Sequence, residues 1–409
     1  MINLKILLLG HGVANDGCKR LLEEENIEYD YLEIKDVCKT YDIIVKSPGI
    51  SLFDEFFTNR KEEIISDIEL AYRLRKIYVI CITGTNAKTT VSSMIYHVLK
   101  DDFKTVLCGN IGYSICDAVV ENKDADIFVV EASSFQLEGI SSFDPNISVI
   151  LNINPHHLDH HKSLEHYVNS KLKIGINDNA NHYTIYSLDS VYLNSIKRNN
   201  KRNLISFSKD KLISDIYIFN DYTYYKDNKI LKIDKSIFSY KISNYMAVIG
   251  VLKALNLDIK KYIKKLRTFK DIKYRMERLT SNIYNDAKST NQYSTIAAIS
   301  ALDNVLLICG GYDRGDRLML APNVLGKLKC VFAYGDTKDK IKLYMDKNNI
   351  NCMIFKNLEE AFNTAYLLLN KNNNLLYSPM FASYDQYKSY NERGYEFEQL
   401  VSKSLKAKK

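Results

Sequence analysis

The hydrophobic positions of this chain fall in short unbroken runs, separated by small-residue turns and amphipathic stretches. KILLL (5–9) leads to Gly10 and Gly12 and then to a helical pattern through LLEEE. YDYLEI and YDIIV read as strands, the second running into Ser47-Pro48-Gly49, and a charged stretch over roughly 60–75 reads as a helix. Between 78 and 154 the runs YVICI, KTVLC, DIFVV and ISVIL follow one another. Apolar runs without alternation predict a parallel sheet covered on both faces. From about 183 to 240 the runs are shorter, Tyr-rich and broken by Asn and Asp (TIYSL, LISFS, DIYIF, YTYYK), which predicts a small antiparallel elaboration. After RTFKDIKYRMERL, strand and helix patterns alternate again through NIYND, VLLICG, CVFAY, NCMIF and NLLYS. A last helix is expected to bury Phe397, Leu400, Val401 and Leu405, with the lysine-rich end after Lys403 solvated. The alternation is the signature of an α/β protein. With no internal repeat, boundaries near 75 and 270 predict domains at 1–75, 76–270 and 271–409.

Composition narrows the class. A length of 409 residues fits two or three domains, and 46% hydrophobic with 26% charged residues is globular. The net charge of +7 includes no block of five or six like charges, which argues against a dedicated nucleic-acid binder. Eight cysteines include no CxxC pair and several sit in apolar runs, as reduced cysteines do. The apolar start is too short for a signal sequence or a membrane span. The expectation is a monomeric cytoplasmic protein with neither nucleic acid nor membrane among its partners.

Three segments carry chemistry. In YVICITGTNAKTT a strand runs into Gly84, Thr85, Asn86, Ala87, Lys88, Thr89 and Thr90, and a helix begins at once. Backbone N–H groups at such a helix start face a polyphosphate, with Lys88 on its outer oxygens and Thr89 reaching Mg2+. A strict phosphate-loop pattern has glycine where this chain has Ile82 and Ala87. In DIFVVEASSFQL, Glu131 leaves a buried strand where a metal carboxylate would partner that loop. Five histidines, His156, His157, His160, His161 and His166, follow the strand ISVIL. The pairs 156/160 and 157/161 could ligate zinc on a helix, but no HExxH glutamate or nearby cysteine is present. One imidazole at a Mg2+ site, with the other histidines exposed, is the favoured reading. Lys171 on the following helix reads by itself as a surface lysine.

These motifs, in this order, resemble the Mur ligase family, the ATP-dependent amide-forming enzymes of peptidoglycan synthesis. NDAKSTN (285–291), LLICGGYDRGD (306–316) and YSPMFASYDQYKSYNERGYEF (377–397) are similar to the C-terminal motifs of its D-glutamate-adding branch. The resemblance implies three α/β domains: a Rossmann-like N-terminal domain for the UDP-sugar, a central P-loop ATPase domain, and a Rossmann-like C-terminal domain for the amino acid. It implies that a carboxylate of UDP-N-acetylmuramoyl-L-alanine attacks the γ-phosphate of ATP, and that the D-glutamate amine then attacks the acyl phosphate, releasing ADP and phosphate. By resemblance, Thr89 and Glu131 hold one Mg2+, His157 a second, and Lys171 carries a carbamate that binds metal. Asn110, Ser133 and Gln136 fall to the muramoyl substrate, and Asn244, Arg275 and Asp286 to the nucleotide. Lys288, Arg314, Ser383 and Tyr390 fall to D-glutamate, whose two carboxylates suit cations and hydroxyls.

The chain departs from the family pattern at several points. Ala87 stands where glycine is usual, and Tyr240-Lys241 replace residues ahead of Asn244. Met380-Phe381 replace small residues, Tyr384 is bulky, and Tyr390 stands for phenylalanine. The N-terminal segment is short, and its Gly10-x-Gly12 turn continues to Asn15 rather than a third glycine. The competing readings are a Mur-type or folylpolyglutamate synthase-like ligase with another amino acid, and a non-catalytic nucleotide-binding protein.

Overall fold

A computed structural model describes residues 4–175, 179–198, 201–210, 212–233, 239–315 and 317–407. The side chain of Tyr240, and Asp316, Lys408 and Lys409, which belong to the sequence reading, lie outside the described residues. Packing divides the chain after Phe269 into two units.

The first unit holds two sheets. β1 (Ile6–Leu9), β2 (Tyr29–Leu32), β3 (Ile43–Lys46) and β4 (Glu63–Ile65) are all parallel, in the order β2-β1-β3-β4. Helices α1 (Val13–Glu24) and α2 (Asp67–Leu74) follow β1 and β4. The helix expected over 60–75 is therefore a strand and a shorter helix. The β-branched Ile64 and Ile65 pair with Ile44 and Val45 of β3, and Ser66 then caps α2 by accepting from the Glu69 N–H.

The second sheet has nine strands: β5 (Val79–Thr83), β6 (Thr105–Gly109), β7 (Ile127–Glu131), β8 (Ile147–Ile150), β9 (Tyr183–Ser187), β10 (Asn203–Phe207), β11 (Ile216–Phe219), β12 (Tyr222–Tyr225) and β13 (Asn228–Lys232). Their order is β13-β12-β11-β10-β9-β8-β5-β7-β6. Its helices are α3 (Lys88–Leu99), α4 (Ile115–Glu121), α5 (Ser134–Leu137), α6 (Leu158–His161), α7 (Leu164–Leu172), α8 (Ser239–Ala254) and α9 (Ile259–Leu266). The apolar runs fail to alternate because both faces are covered. Val79 and Cys81 of β5 face one core, while Ile80 and Ile82 face another built with α3, α8 and α9. The antiparallel elaboration is smaller than the sequence suggests: β9 and β10 continue the parallel sheet. Only β11–β13 run antiparallel, with Asn220 and Asp221 at φ 45° and 61° turning the chain between the first two.

The two sheets of this unit share a core. Cys18, Leu21 and Leu22 of α1 and Ile68 and Ala71 of α2 pack with Cys116 and Ala118 of α4. Gly17 permits this approach, because a Cβ there would fall on Ser114 Oγ. That hydroxyl cannot swing aside freely, since it caps α4 at the Asp117 N–H and also meets the Asp117 carboxylate at 2.7 Å.

In the second unit β14 (Glu277–Arg278), β15 (Ile283–Asn285), β16 (Val305–Gly310), β17 (Leu328–Tyr334), β18 (Cys352–Ile354) and β19 (Asn374–Met380) pair in the order β14-β15-β19-β16-β17-β18. All pairs are parallel except β14 with β15. Helices α10 (Gln292–Ser300), α11 (Pro322–Leu325), α12 (Lys338–Lys347), α13 (Leu358–Leu368) and α14 (Tyr390–Ala407) complete the unit. α14 buries Phe397, Leu400 and Val401, but Leu405 is 41% exposed, because the last turn runs past the core.

Gly17→Ala is expected to lower stability in urea unfolding by about 1–2 kcal/mol. The overpacking cost outweighs the gain of roughly 1 kcal/mol in helix propensity. Gly49→Ala, whose Cβ would meet nothing within 4 Å, is the control expected to change little.

Candidate functional site

β5 lies between β8 and β7, third from the β6 edge of the nine-stranded sheet, and the chain leaves it towards β6 and β7 before crossing to β8 on its other side. A crevice at the carboxyl ends of the strands belongs at such a switch point. The loop 84–87 lines it, and its shape is set from β8. The Thr85 N–H donates to Asn152 O at 2.8 Å, the Asn86 N–H to Asn152 Oδ1 at 2.9 Å, and Asn152 Nδ2 to Asn86 O at 3.1 Å. Buried Thr85 accepts from the Asn154 N–H at 2.9 Å and shares a 2.8 Å hydrogen bond with the Tyr167 hydroxyl. Lys88 Nζ donates to Gly84 O at 2.8 Å and Thr85 O at 3.1 Å, so its ammonium sits inside the loop it would serve. Thr89 is half-buried on the first turn of α3.

Ala87, at the N-cap of α3, has φ 68°. This left-handed conformation costs a residue with a Cβ about 1–2 kcal/mol, which is why glycine suits the position.

Two buried groups flank the loop. Glu131, ending β7, is 3% exposed; its Oε1 accepts from Asn110 Nδ2 at 3.2 Å, while its Oε2 has no hydrogen-bond partner. A buried carboxylate oxygen without a donor suits a divalent cation, which hard oxygen ligands hold. Lys171, expected on the surface by its sequence alone, is 1% exposed on α7. Its Nζ donates to Gly84 O at 3.1 Å and Thr83 Oγ1 at 3.3 Å. Burial, with the Lys88 charge nearby, pushes its pKa well below the usual lysine range, against the pull of Glu131. Asn110 is exposed at the mouth, with its N–H on Glu131 O at 2.8 Å.

Beside this crevice is a cleft of about 300 Å3, lined by Gly12, Ser47, Asp67, Asn110, Ser114 and Gln136 among others. Gln136 Nε2 donates to both oxygens of buried Asp67, at 2.9 and 3.2 Å, and burial raises the Asp67 carboxyl to about 6. Ser133 spends its hydroxyl in a capping box with Gln136 at the start of α5.

The histidine segment differs from expectation. α6 covers only Leu158–His161, with His157 at its N-cap at φ 55°, so 156/160 and 157/161 are not one helical face. The expected exposure fails too: His156 is 7% and His161 0% exposed. Burial lowers His161 to about 4. His157 packs near the Phe135 ring, at 4.8 Å between centroids. The groups that gather instead are Glu138, His160 and His161, with Lys46 of β3 donating to Glu138 Oε1 at 2.7 Å. Neither Glu138 nor Lys46 has a sequence motif that announces it. Tyr167 had a signal, standing one helical turn before Lys171.

In the second unit the carboxyl ends of β15, β19 and β16 are neighbours, and the predicted residues follow those strands. Asp286 is 1% exposed and accepts from the Met276 N–H at 3.1 Å and from the Ser289 and Ser378 hydroxyls. Burial raises its pKa while the charge of Arg275, which donates to Ser289 Oγ at 3.2 Å, opposes the rise. Lys288 Nζ donates to the Tyr390 hydroxyl at 3.3 Å, joining two of the predicted residues. Ser383 is buried, and Arg314 lies over the exposed Tyr384 ring at 5.7 Å. Met380 is buried at φ 70° and Phe381 at 4% exposure, so the bulky replacements fill the core. Arg393, unflagged by sequence, is fully buried and donates to Ala287 O at 3.1 Å and Phe381 O at 2.8 Å, tying the Lys288 loop to the Ser383 loop. Asn244 is buried on α8 of the first unit.

Residues 82–257 match the family model described as Mur ligase middle domain. The chain is 33% identical over 422 residues to a protein of Caldanaerobacter subterraneus subsp. tengcongensis called UDP-N-acetylmuramoylalanine–D-glutamate ligase, covering 98% of this chain and 94% of that one. A protein of the same name from Fusobacterium nucleatum subsp. nucleatum is 32% identical over 430 residues, covering 98% and 99%. The fold is that of the MurF ligase from Thermotoga maritima in complex with ADP, at a TM-score of 0.60, 17% identity, and 91% and 97% coverage.

Ala87→Gly is expected to raise the urea-unfolding free energy by about 0.5–1 kcal/mol. Relief of the left-handed strain exceeds the added freedom of the unfolded chain. A fall in stability would show that the strain is relieved elsewhere.

Proposed function

The chain belongs to the Mur ligase family, and from that membership we propose that it is an ATP-dependent ligase adding D-glutamate to UDP-N-acetylmuramoyl-L-alanine in peptidoglycan precursor synthesis. The observation that carries the chemistry is a phosphate loop whose crevice contains a buried carboxylate oxygen, Glu131 Oε2, with no donor of its own. The similarity along nearly the whole chain to proteins named for D-glutamate addition supports the choice of amino acid.

In this reading residues 1–75, 76–270 and 271–409 take the UDP-sugar, ATP and the amino acid. Backbone N–H groups at the start of α3 bind the polyphosphate and Lys88 turns from Gly84 O and Thr85 O to its outer oxygens. The cleft with Asn110 and Gln136 orients the muramoyl end, the Asp67 pair holding Gln136 in place. Thr89 and Glu131 would hold one Mg2+, and His157 with Lys171 a second. Bound there, Mg2+ neutralises charge developing on the phosphoryl oxygens. Lys171 serves as a carbamate: the neutral amine that burial favours attacks CO2, loses a proton and becomes an anion. Lys288, Arg314, Ser383 and Tyr390 bind D-glutamate, and Asn244, Arg275 and Asp286 serve the nucleotide. The acyl-phosphate route follows from positioning a carboxylate nucleophile in line with the γ-phosphate. Among the described residues no helix is long and apolar enough to cross a membrane. The cytoplasmic location and monomeric state that belong to this reading rest on its nucleotide substrates, ATP and the UDP-sugar, and on the family resemblance.

Phosphate release from ATP with UDP-N-acetylmuramoyl-L-alanine is expected to be stimulated by D-glutamate and not by L-glutamate or L-lysine. Stimulation by L-lysine alone sinks the D-glutamate assignment, and no stimulation by any amino acid sinks the ligase. Lys171→Ala is expected to abolish turnover and to recover part of it with short added carboxylates. Full activity in that variant removes the carbamate.

A further inference from the structure

The side chains around Glu138 are not used by the ligase reading, and they have the geometry of a metal centre. Glu138 is 4% exposed, with its Oε1 at 3.0 Å from His160 Nε2 and 2.7 Å from Lys46 Nζ. Its Oε2 has no hydrogen-bond partner and lies 3.5 Å from His161 Nδ1. His161 Nδ1 in turn faces His166 Nδ1 at 3.0 Å. An ion pair with Lys46 and His160 accounts for Oε1, but it leaves Oε2 buried beside ring nitrogens with no donor assigned to it.

We propose that Glu138, His160 and His161 form a three-ligand site for a transition-metal dication, Zn2+ by its donors, with a fourth position for water and separate from the residues that would hold Mg2+. Four ligands at roughly 2.0–2.1 Å from a tetrahedral zinc stand about 3.3 Å from one another. The separations of Glu138 from His160 and His161, 3.0 and 3.5 Å, bracket that edge, and the ligand atoms of all three residues lie within 4.8 Å of one another. Two imidazoles and one carboxylate suit zinc, whereas Mg2+ prefers oxygen and water. The far nitrogen of His161 meets Ser134 Oγ at 2.9 Å, the outer partner that fixes the ring of a metal-bound histidine. Lys46 opposes the ion by holding the same carboxylate, so it sets a ceiling on affinity. The site ties α5 to the α6 turn, and Ser51 Oγ, donating to His160 O at 2.8 Å, ties that turn to the first sheet's loop. None of this depends on the ligase reading.

The test is calorimetric titration of the metal-stripped full chain with Zn2+ in excess Mg2+, with Co2+ as the spectroscopic probe. One equivalent is expected, with the strong visible absorption of four-coordinate cobalt. His160→Gln and His161→Gln are expected to abolish the cobalt signal and weaken Zn2+ by more than the roughly 10–100-fold expected for Ser134→Ala. Lys46→Met is expected to tighten binding, and His157→Gln to retain it. His160→Gln, at a half-buried residue, is the variant that tests binding without threatening the fold. Absence of a stoichiometric site overturns the proposal, as does unchanged affinity in both His160→Gln and His161→Gln. Loss of the signal in His157→Gln alone would assign the ion to the Mg2+ ligands instead and overturn it equally.

Discussion

The architecture of the first unit turns on how the loop after β5 is held. A phosphate loop works only if its N–H groups point outward before any ligand arrives, because ordering them on binding would cost conformational entropy. Here the order comes from the end of β8. Asn152 clasps Asn86 on both its N–H and its carbonyl, and Thr85 is fixed between Asn154 and Tyr167. The parallel pairing of β5 with β8 brings these groups level, Thr83 standing opposite Ile150. The residual strain at Ala87 is tolerated because its neighbours leave the backbone no alternative.

Around that loop the protein buries charges that do not cancel. Lys171 and Lys88 both turn onto the carbonyl of Gly84, and Glu131 keeps an oxygen without a partner. In an interior of low dielectric such an arrangement is costly unless a ligand completes it or a group changes its protonation. Both outlets are chemically useful. A cation suits Glu131, and a neutral Lys171 amine is nucleophilic where a surface lysine is not. A similar imbalance recurs at Glu138, where Lys46 and His160 crowd one oxygen and leave the other bare. In the second unit, buried Arg393 is spent on two carbonyls rather than a carboxylate, so it acts as a strut between the loops carrying Lys288 and Ser383.

Local chemistry made much of this legible in the sequence. Unbroken apolar runs announced strands covered on both faces, because such a strand has no solvent side to mark with polar residues. Gly84 through Thr90 announced a strand-to-helix loop, and Glu131 an acidic residue ending a buried strand, because each is defined by neighbours along the chain. The same reasoning failed where the deciding contact is distant. The helix expected over 60–75 became β4 in part because β3 was available to pair with it. The histidine periodicity misled because His157 adopts a left-handed turn and stops α6 from continuing backward.

The sequence by itself determined the buried strands of the central sheet, the loop that opens α3, and the points where carboxylates and hydroxyls leave the strands, since these depend on interactions a few residues apart. Only the tertiary structure decided which of those groups lose their water. Lys171 reads as a surface lysine until α7 docks on β5 and desolvates it, and Glu138 reads as an ordinary glutamate until β3 delivers Lys46. Desolvation depends on every element packed around a group, and no local stretch of chain contains that sum.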